Sequence, residues 1–401
     1  MEPKLWTKEY IFTTFINFFT ALNFYLLMIV VSKYAMNKFD SSPSEAGLTV
    51  SIFIVGALIM RLLTGKLITR IGYKKVLCAG VIANLTMTLL YFEVNSLFFL
   101  LFIRFLNGAA FGITTTATAT IIADIVPQER TGEGIGYFSL SQTLATAIGP
   151  FLGMFLSQHG SYSMIFTACA VAALFCIVLA PFLSLRKMEL TEEQLREMQE
   201  RKLSNLIEFG VIPISIIVLL IYLCYSSIVS FLAVYAQEIH LVYAASFFFI
   251  IYALVVLISR PTVGRFFDLK GENSIMYLAI LIYAIGMFLF SHSYHGYQLL
   301  LAAVLVGLGV GAIQSSTMAI VAKITPQYRL GVANGTYFML ADLGMGVGPL
   351  LVGCLIPFIG YRGMYTSISV MILACLFLYY LLHGRKAKPG EKVIIKSEHL
   401  M

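Results

Sequence analysis

The chain contains 401 residues, of which 59% are hydrophobic and only 12% are charged. Soluble globular domains carry roughly 25% charged residues, so this composition excludes an ordinary soluble protein and indicates that lipid surrounds the chain. The net charge of +7 could suggest a nucleic-acid partner. Because the positive charges collect on one side of the predicted membrane spans, they are instead a signal of membrane topology, and no nucleic-acid binding is predicted.

Apolar windows of about 20 residues, long enough to cross ~30 Å of hydrocarbon, predict twelve transmembrane helices. A transmembrane barrel would instead show segments of about 10 residues with alternating polarity, whereas these runs are apolar on every side. The predicted fold is an all-α integral membrane protein, and its first span is retained because no cleavage region follows it. The spans lie near residues 10–32, 47–68, 76–94, 97–122, 135–157, 162–185, 209–235, 243–264, 274–291, 297–322, 331–357 and 362–383.

The positive charges predict the orientation in the membrane. Lys and Arg residues concentrate on the side of both termini and of the loop 186–208, whereas Lys33, Lys38 and Arg362 lie on the opposite side. The positive-inside rule then places both termini in the cytoplasm, in a bacterial-type cytoplasmic membrane. The six cysteines fall inside predicted spans without metal-ligand spacing, so neither a disulfide framework nor a metal site is predicted.

Motifs that recur at one constant separation indicate an internal duplication. The following residues of the first half each recur 199 positions later: Arg61, Gly65, Gly72, Gly108, Gly112, Pro127, Gln128, Arg130, Gly132, Gly136, Gly149 and Pro150. Two copies with six spans each share one orientation and are related by an axis along the membrane normal. The predicted organisation is a six-helix bundle at 1–185, a cytoplasmic linker with a short amphipathic helix at 186–208, a second bundle at 209–384 and a cytoplasmic tail at 385–401.

The loop after the second span reads Gly65-Lys-Leu-Ile-Thr-Arg-Ile-Gly-Tyr-Lys-Lys. It resembles the Gly-x-x-x-Asp-Arg-x-Gly-Arg-Arg signature of the major facilitator superfamily, and the resemblance covers essentially the whole chain. In that family the charges of this loop brace helix ends in the outward-facing state. Thr69 replaces the acid in the first copy, whereas Asp268 keeps it in the second, so each copy is only partly equipped. The resemblance implies conformational roles for Gly65, Arg70, Gly72, Gly264, Asp268 and Gly271.

The fourth span carries Arg104 in the segment Arg104-Phe-Leu-Asn-Gly-Ala-Ala, which resembles a motif that many proton-coupled members of the family place there. A charged residue inside the membrane is expensive, so Arg104 should face a partner or a wet cavity and is a candidate for proton coupling. The alternative is that it snorkels to the nearby boundary. Arg61 and Arg260 lie nearer the cytoplasmic edge, and for them snorkelling or helix bracing is predicted.

The fifth span contains Gly149, Pro150 and Gly153 in a pattern similar to the antiporter signature of drug-exporting branches of the family. Glycine permits close helix approach, and proline removes a backbone hydrogen bond and makes a kink. These segments are therefore interpreted as moving interfaces of a transporter. The eleventh span repeats the pattern with Gly344, Gly348 and Pro349.

Asp342 is predicted to be the proton-coupling residue, together with Arg104. It lies near the middle of the eleventh span, and a short carboxylate cannot snorkel to either surface. Burial disfavours the ionised form of a carboxylate, so a proton can bind and leave at this position. Its repeat mate is Thr143, so the acid is not inherited from the duplicated architecture. A purely structural role, as the partner of an arginine, is the alternative.

Polar and aromatic residues in the first, fourth, seventh, tenth and eleventh spans are candidates for a substrate cavity. The resemblance implies a cavity between the two bundles, although an aromatic residue in a span also packs against neighbours or faces lipid. The candidates are Asn17, Asn23, Phe24, Asn107, Tyr222, Tyr225, Gln314 and Tyr337.

These observations favour a secondary active transporter that exports small amphipathic molecules by alternating access and is driven by protons. The resemblance is to the twelve-span drug/proton antiporters of bacteria, and it implies a monomer with no cofactor besides the proton gradient. Two alternatives stay open within transport: export of a specific solute such as a metallophore or a sugar, and uptake by symport. A membrane sensor that does not transport is the alternative of another class. No catalytic motif or P-loop is found, so an enzyme is not predicted.

Overall fold

The computed structural model describes residues 5–41, 43–185 and 205–385. Twelve helices in these ranges are long and apolar enough to cross a membrane, which confirms the predicted all-α membrane fold. The first six are α1 Lys8–Phe39, α2 Pro43–Ile71, α3 Tyr73–Leu90, α4 Leu97–Ile125, α5 Thr131–His159 and α6 Tyr162–Leu179. The second six are α7 Ile212–Glu238, α8 Val242–Lys270, α9 Glu272–Ser291, α10 Gly296–Ile324, α11 Leu330–Gly353 and α12 Ile356–Tyr379.

Local sequence explains where several helices begin and end. Thr7, Ser96 and Ser161 cap α1, α4 and α6, because each side-chain oxygen accepts a hydrogen bond from a backbone N–H in the first turn. Gly72 and Gly271 have φ of 88° and 81°, which L side chains rarely adopt. These two repeat-related glycines therefore make the sharp turns between α2 and α3 and between α8 and α9.

Helix α1 extends well beyond its predicted end at residue 32 and reaches Phe39. The extension is polar, and Lys38 stabilises it because its Nζ donates to the carbonyl of Val94 at 2.6 Å and to the hydroxyl of Tyr34 at 3.0 Å. A hydropathy window cannot detect such a turn. The predicted linker helix and most of the predicted tail lie outside the described residues, so that division of the chain stays a prediction.

The two halves meet mainly through α2 and α4 against α11, and through α5 against α8 and α10. The approach is closest at one end of the molecule, here named the closed end, where Gly65 faces Gly331 and Gly132 faces Gly264. A Cβ added at Gly264 would lie 2.7 Å from the carbonyl oxygen of Gly132. At Gly346, farther from this end, an added Cβ would come no closer than 3.8 Å to any neighbour. The interface between the halves is therefore tight at the closed end and looser beyond it.

Candidate functional site

An ion pair joins the two halves just inside the closed end. Arg61 on α2 donates its Nε to Oδ2 of Asp342 on α11 at 2.7 Å, and its Nη1 to the hydroxyl of Thr115 on α4 at 3.1 Å. The guanidinium also lies over the ring of Phe338, 4.8 Å from its centroid, and over that of Phe111 at 5.5 Å. The arginine side chain is thus bound on several sides by residues from both halves.

The two members of the pair differ in their exposure. The side chain of Arg61 is 3% exposed and that of Asp342 is 28% exposed. Breaking a buried ion pair is costly, because removal of one partner leaves an uncompensated charge in a medium of low dielectric constant. The carboxylate is the member that a proton can reach. The arrangement can therefore link the charge of Asp342 to the contact between the halves.

Tyr25 on α1 lies in the neighbourhood of this carboxylate. Its hydroxyl accepts a hydrogen bond from Nε2 of Gln142 at 3.2 Å, and it lies within electrostatic range of both Asp342 and Arg61. Phe24 is half-buried and packs on Phe111 with the ring centroids 5.0 Å apart. The predicted cavity residue Phe24 thus belongs to the aromatic layer beside the ion pair.

A second arginine site is related to the first by the duplication. Arg260, Gln314 and Thr143 are the repeat mates of Arg61, Thr115 and Asp342. Nη2 of Arg260 donates to Oε1 of Gln314 at 2.8 Å and to the hydroxyl of Thr143 at 3.5 Å. In the described part of the chain no carboxylate pairs with this arginine, which is 1% exposed. The two sites are therefore built from repeat-related positions, but they differ in charge and in the guanidinium nitrogens that are hydrogen-bonded.

Two of the predicted cavity residues lie near Arg260 besides Gln314. The hydroxyls of Tyr222 and Tyr337 lie within electrostatic range of its guanidinium, and Tyr337 also shares a hydrogen bond of 2.9 Å with Thr317. Tyr225 stacks on Tyr252 with the ring centroids 5.5 Å apart. The structure thus brings Tyr222 and Tyr337 of the second half close to one buried arginine.

The predicted cavity residues Asn17, Asn23 and Asn107 instead bind within the first half. Their amides link helices, and all three are buried. Asn17 donates to Ser141 and accepts from Thr118, Asn23 donates to Thr88 and to the carbonyl of Cys169, and Asn107 donates to Asn84. An amide in a dry bundle binds a polar partner on a neighbouring helix, as these three do, and their place in a substrate cavity stays a prediction.

Arg104 does not meet Asp342. Its Nε donates to the carbonyl of Thr49 at 2.8 Å, its Nη1 to the hydroxyl of Tyr91 at 3.4 Å, and its guanidinium lies 4.5 Å from the ring centroid of Phe53. Thr49 precedes Arg61 by twelve residues, roughly 18 Å along α2 at 1.5 Å per residue. Arg104 is fully buried, so it neither snorkels nor faces a wet cavity, and it braces α4 against α2.

Burial also contradicts snorkelling for Arg61 and Arg260, which are 3% and 1% exposed. Of the alternatives predicted for them, bracing fits Arg61 because it holds α2 to α11. The internal repeat nevertheless marked both arginines in the sequence. At a separation of 199 residues, Arg61 recurs as Arg260, whereas the acid Asp342 corresponds to the neutral Thr143. The arginine is therefore present in both halves but the acid in only one.

At the closed end, Asp268 of the second copy of the loop motif makes contacts between the halves. Its carboxylate accepts hydrogen bonds from the backbone N–H groups of Gly132 at 2.8 Å and Glu133 at 3.1 Å, at the start of α5. A carboxylate is favourable at a helix N-terminus because of the unpaired N–H groups and the helix dipole. Thr69, its mate, donates to the carbonyl of Gly65 within α2 and makes no such contact across the halves. Arg70 is exposed.

The Gly-Pro segments pack inside each half and not between the halves. Gly149 and Gly153 of α5 lie against Tyr25 and Leu26 of α1. Gly344 and Gly348 of α11 lie against Leu219 and Leu223 of α7, and Pro349 is inside α11. Pro150 follows Gly149 within α5. The glycines at the contact between the halves are therefore those of the closed end, and the interpretation of the Gly-Pro segments as moving interfaces stays a prediction.

Comparisons with known proteins agree with this architecture. A family model described as Major Facilitator Superfamily matches residues 13–296 and 244–398. The chain is 25% identical to the multi-drug resistance efflux pump PmrA of Streptococcus pneumoniae, over 93% of this chain and 95% of the pump. It is 25% identical to an uncharacterised MFS-type transporter of Methanocaldococcus jannaschii, over 91% of this chain and 95% of that protein. The structure matches that of the human organic anion transporter MFSD10 with a TM-score of 0.77 and 17% identity, covering 94% and 100% of the two chains.

Proposed function

Because the chain belongs to the Major Facilitator Superfamily of transporters, we propose that it exports small amphipathic molecules across a cytoplasmic membrane in exchange for protons. The similarity to an efflux pump over nearly the whole chain supports export. The distribution of Lys and Arg supports an orientation with both termini, and hence the closed end, in the cytoplasm. The working unit is a monomer in lipid, and the proton gradient is its energy source.

The ion pair between Arg61 and Asp342 is the observation that carries this proposal. It joins the halves next to the point where Gly65 meets Gly331, so its charge state acts directly on the closed end. When Asp342 binds a proton, the carboxyl group becomes neutral and its attraction to Arg61 falls. The closed end then loses a charged contact and opens more easily.

This coupling produces exchange when the two sides differ in pH. In the orientation proposed above, the state with a tight closed end is open to the exterior, where a proton binds Asp342. The neutral carboxyl group favours opening towards the cytoplasm, where the proton leaves and a solute binds. Only a difference in affinity between the two states can shift such an equilibrium. Ionised Asp342 re-forms the pair with Arg61 and closes the cytoplasmic end behind the solute.

Asp342→Asn tests the proposal because asparagine imitates the neutral carboxyl group permanently. Proteoliposomes containing the full chain would be given a pH difference and a labelled cation (ethidium), a neutral amide (1-naphthylacetamide) or an anion (1-naphthylacetate). We expect the unsubstituted chain to concentrate at least one probe and the variant to lose this uphill transport while keeping exchange of probe for probe. Asp40→Asn, at an exposed acid after α1, is the matched control and should transport normally.

Two results would contradict the proposal. Undiminished uphill transport by Asp342→Asn would remove this residue from the coupling mechanism. Loss of probe-for-probe exchange as well would assign the carboxylate a structural or substrate-binding role.

A further inference from the structure

Arg260 is a buried cation to which the described residues supply no counter-charge. Its hydrogen bonds go to two neutral groups, the amide of Gln314 and the hydroxyl of Thr143. Its Nε and Nη1 are buried and have no hydrogen-bond partner in the part of the chain that the structure describes. An arginine inside a membrane protein normally pairs with an acid or a carbonyl, because an unpaired charge in a medium of low dielectric constant is costly. Only Nη2 of this guanidinium is thus hydrogen-bonded within the described residues, and an anionic partner for the remaining nitrogens is missing.

The duplication shows what kind of group is missing. In the first arginine site a carboxylate of Asp342 contacts Arg61 at 2.7 Å. Thr143 occupies the equivalent position in the second site and carries a neutral hydroxyl group in place of the carboxylate. A carboxylate brought by a ligand can fill this place, because guanidinium binds carboxylates with a geometry that suits two parallel hydrogen bonds.

We propose that Arg260 binds the acidic group of the transported molecule, so that the substrates of this protein are amphipathic organic anions of the carboxylate class. This inference rests on the proposed function, because it assumes that the space between the halves is the transport route. The carboxylate displaces the amide of Gln314, which is half-buried and faces the guanidinium from the neighbouring helix α10. The rings of Tyr222, Tyr225 and Tyr252 offer an apolar surface for the remainder of the molecule.

The two arginine sites then divide the work. Arg61 is neutralised by the chain itself and responds to protons through Asp342, whereas Arg260 is neutralised by the substrate. A substrate without an acidic group leaves Arg260 uncompensated. Charge therefore decides which amphipathic molecules bind.

The test measures binding of three matched probes to the purified full chain by equilibrium dialysis. The probes share a naphthyl body and differ in charge: 1-naphthylacetate, 1-naphthylacetamide and 1-naphthylmethylammonium. We expect the anion to bind at least tenfold more tightly than the amide, and the cation to bind least. Equal binding of the three probes, a preference for the cation, or no measurable binding of the anion would overturn the inference.

Two substitutions at Thr143 form the decisive pair. Thr143→Asp supplies the missing carboxylate from within the chain and should remove the preference for the anion, whereas Thr143→Asn has the same shape without the charge and should keep it. Thr143→Asp should also raise the melting temperature above that of Thr143→Asn, and this gain should vanish when Arg260 is replaced by Gln. If Thr143→Asp binds the anion as tightly as Thr143→Asn, the inference is wrong.

Arg260→Gln should abolish the anion preference, and Arg260→Lys should keep part of it because the charge remains without the planar fork. Lys270→Gln, which removes an exposed cation from the same helix, is the charge control and should bind all three probes as the unsubstituted chain does. The failures are distinguishable. Proton-driven transport of ethidium without any preference for 1-naphthylacetate would leave the proposed function standing and overturn this inference alone.

Discussion

The substitution Asp342→Asn should shift the equilibrium between the two conformations of the transporter by a measurable amount. Opposite charges about 4 Å apart attract by about 4 kcal/mol at an effective dielectric constant of about 20. Because Asp342 is 28% exposed, solvent screens part of this attraction, and a loss of about 2–3 kcal/mol is the reasonable expectation for the closed end. Such a loss corresponds to a shift of roughly 30- to 150-fold in the ratio of the two conformations.

Spin labels on the two halves at the closed end can report this shift. Labels would replace the exposed residues Lys75 and Lys270, after serine has replaced Cys78 and Cys354, the two described cysteines that are not buried. In the unsubstituted chain, the short distance between the labels should dominate at high pH and decline as the pH falls and Asp342 binds a proton. In Asp342→Asn the long distance should be enriched at every pH. Distance distributions identical to those of the unsubstituted chain, at every pH, would refute the reasoning.

Three further predictions concern packing, bracing and topology. Gly264→Val should hold the closed end apart and abolish transport, because its Cβ alone would lie 2.7 Å from the carbonyl oxygen of Gly132. Gly346→Val is the control, because a Cβ there would lie 3.8 Å from its nearest neighbour. Equal transport by the two variants would refute the tight contact. Arg104→Gln should lower the melting temperature, because it removes hydrogen bonds to Thr49 and Tyr91, and a hydrogen bond to a charged group contributes about 1.5–3 kcal/mol. It should leave the pH dependence of the label distances unchanged; a shifted pH dependence would assign Arg104 to the coupling site. Protease tags would be placed at Lys4, within 188–204 and at Glu398. In intact cells, external protease should leave all three tags uncut, and cleavage of the central tag would overturn the twelve-span topology.

The sequence by itself determined the helices of this protein and their duplication. In hydrocarbon each backbone N–H and C=O must find a partner within its own segment, so an apolar run of sufficient length becomes a helix whatever its neighbours are. The internal repeat could also be read from the sequence, because the recurrence of Arg61 as Arg260 and of Gly65 as Gly264 at one separation requires no knowledge of tertiary contacts. Asp342 could also be singled out, because a carboxylate in the middle of a span is rare in any packing arrangement.

Only the tertiary structure decided which charges meet. Arg61, Arg104 and Arg260 all occupy spans, and their spacing along the chain does not say which one lies opposite Asp342. That choice depends on the rotation of α2 and α11 about their axes and on their relative height, which packing between helices sets. The same dependence determined that Asn17 binds inside the first half and that no acid among the described residues pairs with Arg260. A polar side chain in a membrane helix binds whatever group the neighbouring helix presents, and that group is specified by contacts between distant residues, not by local sequence.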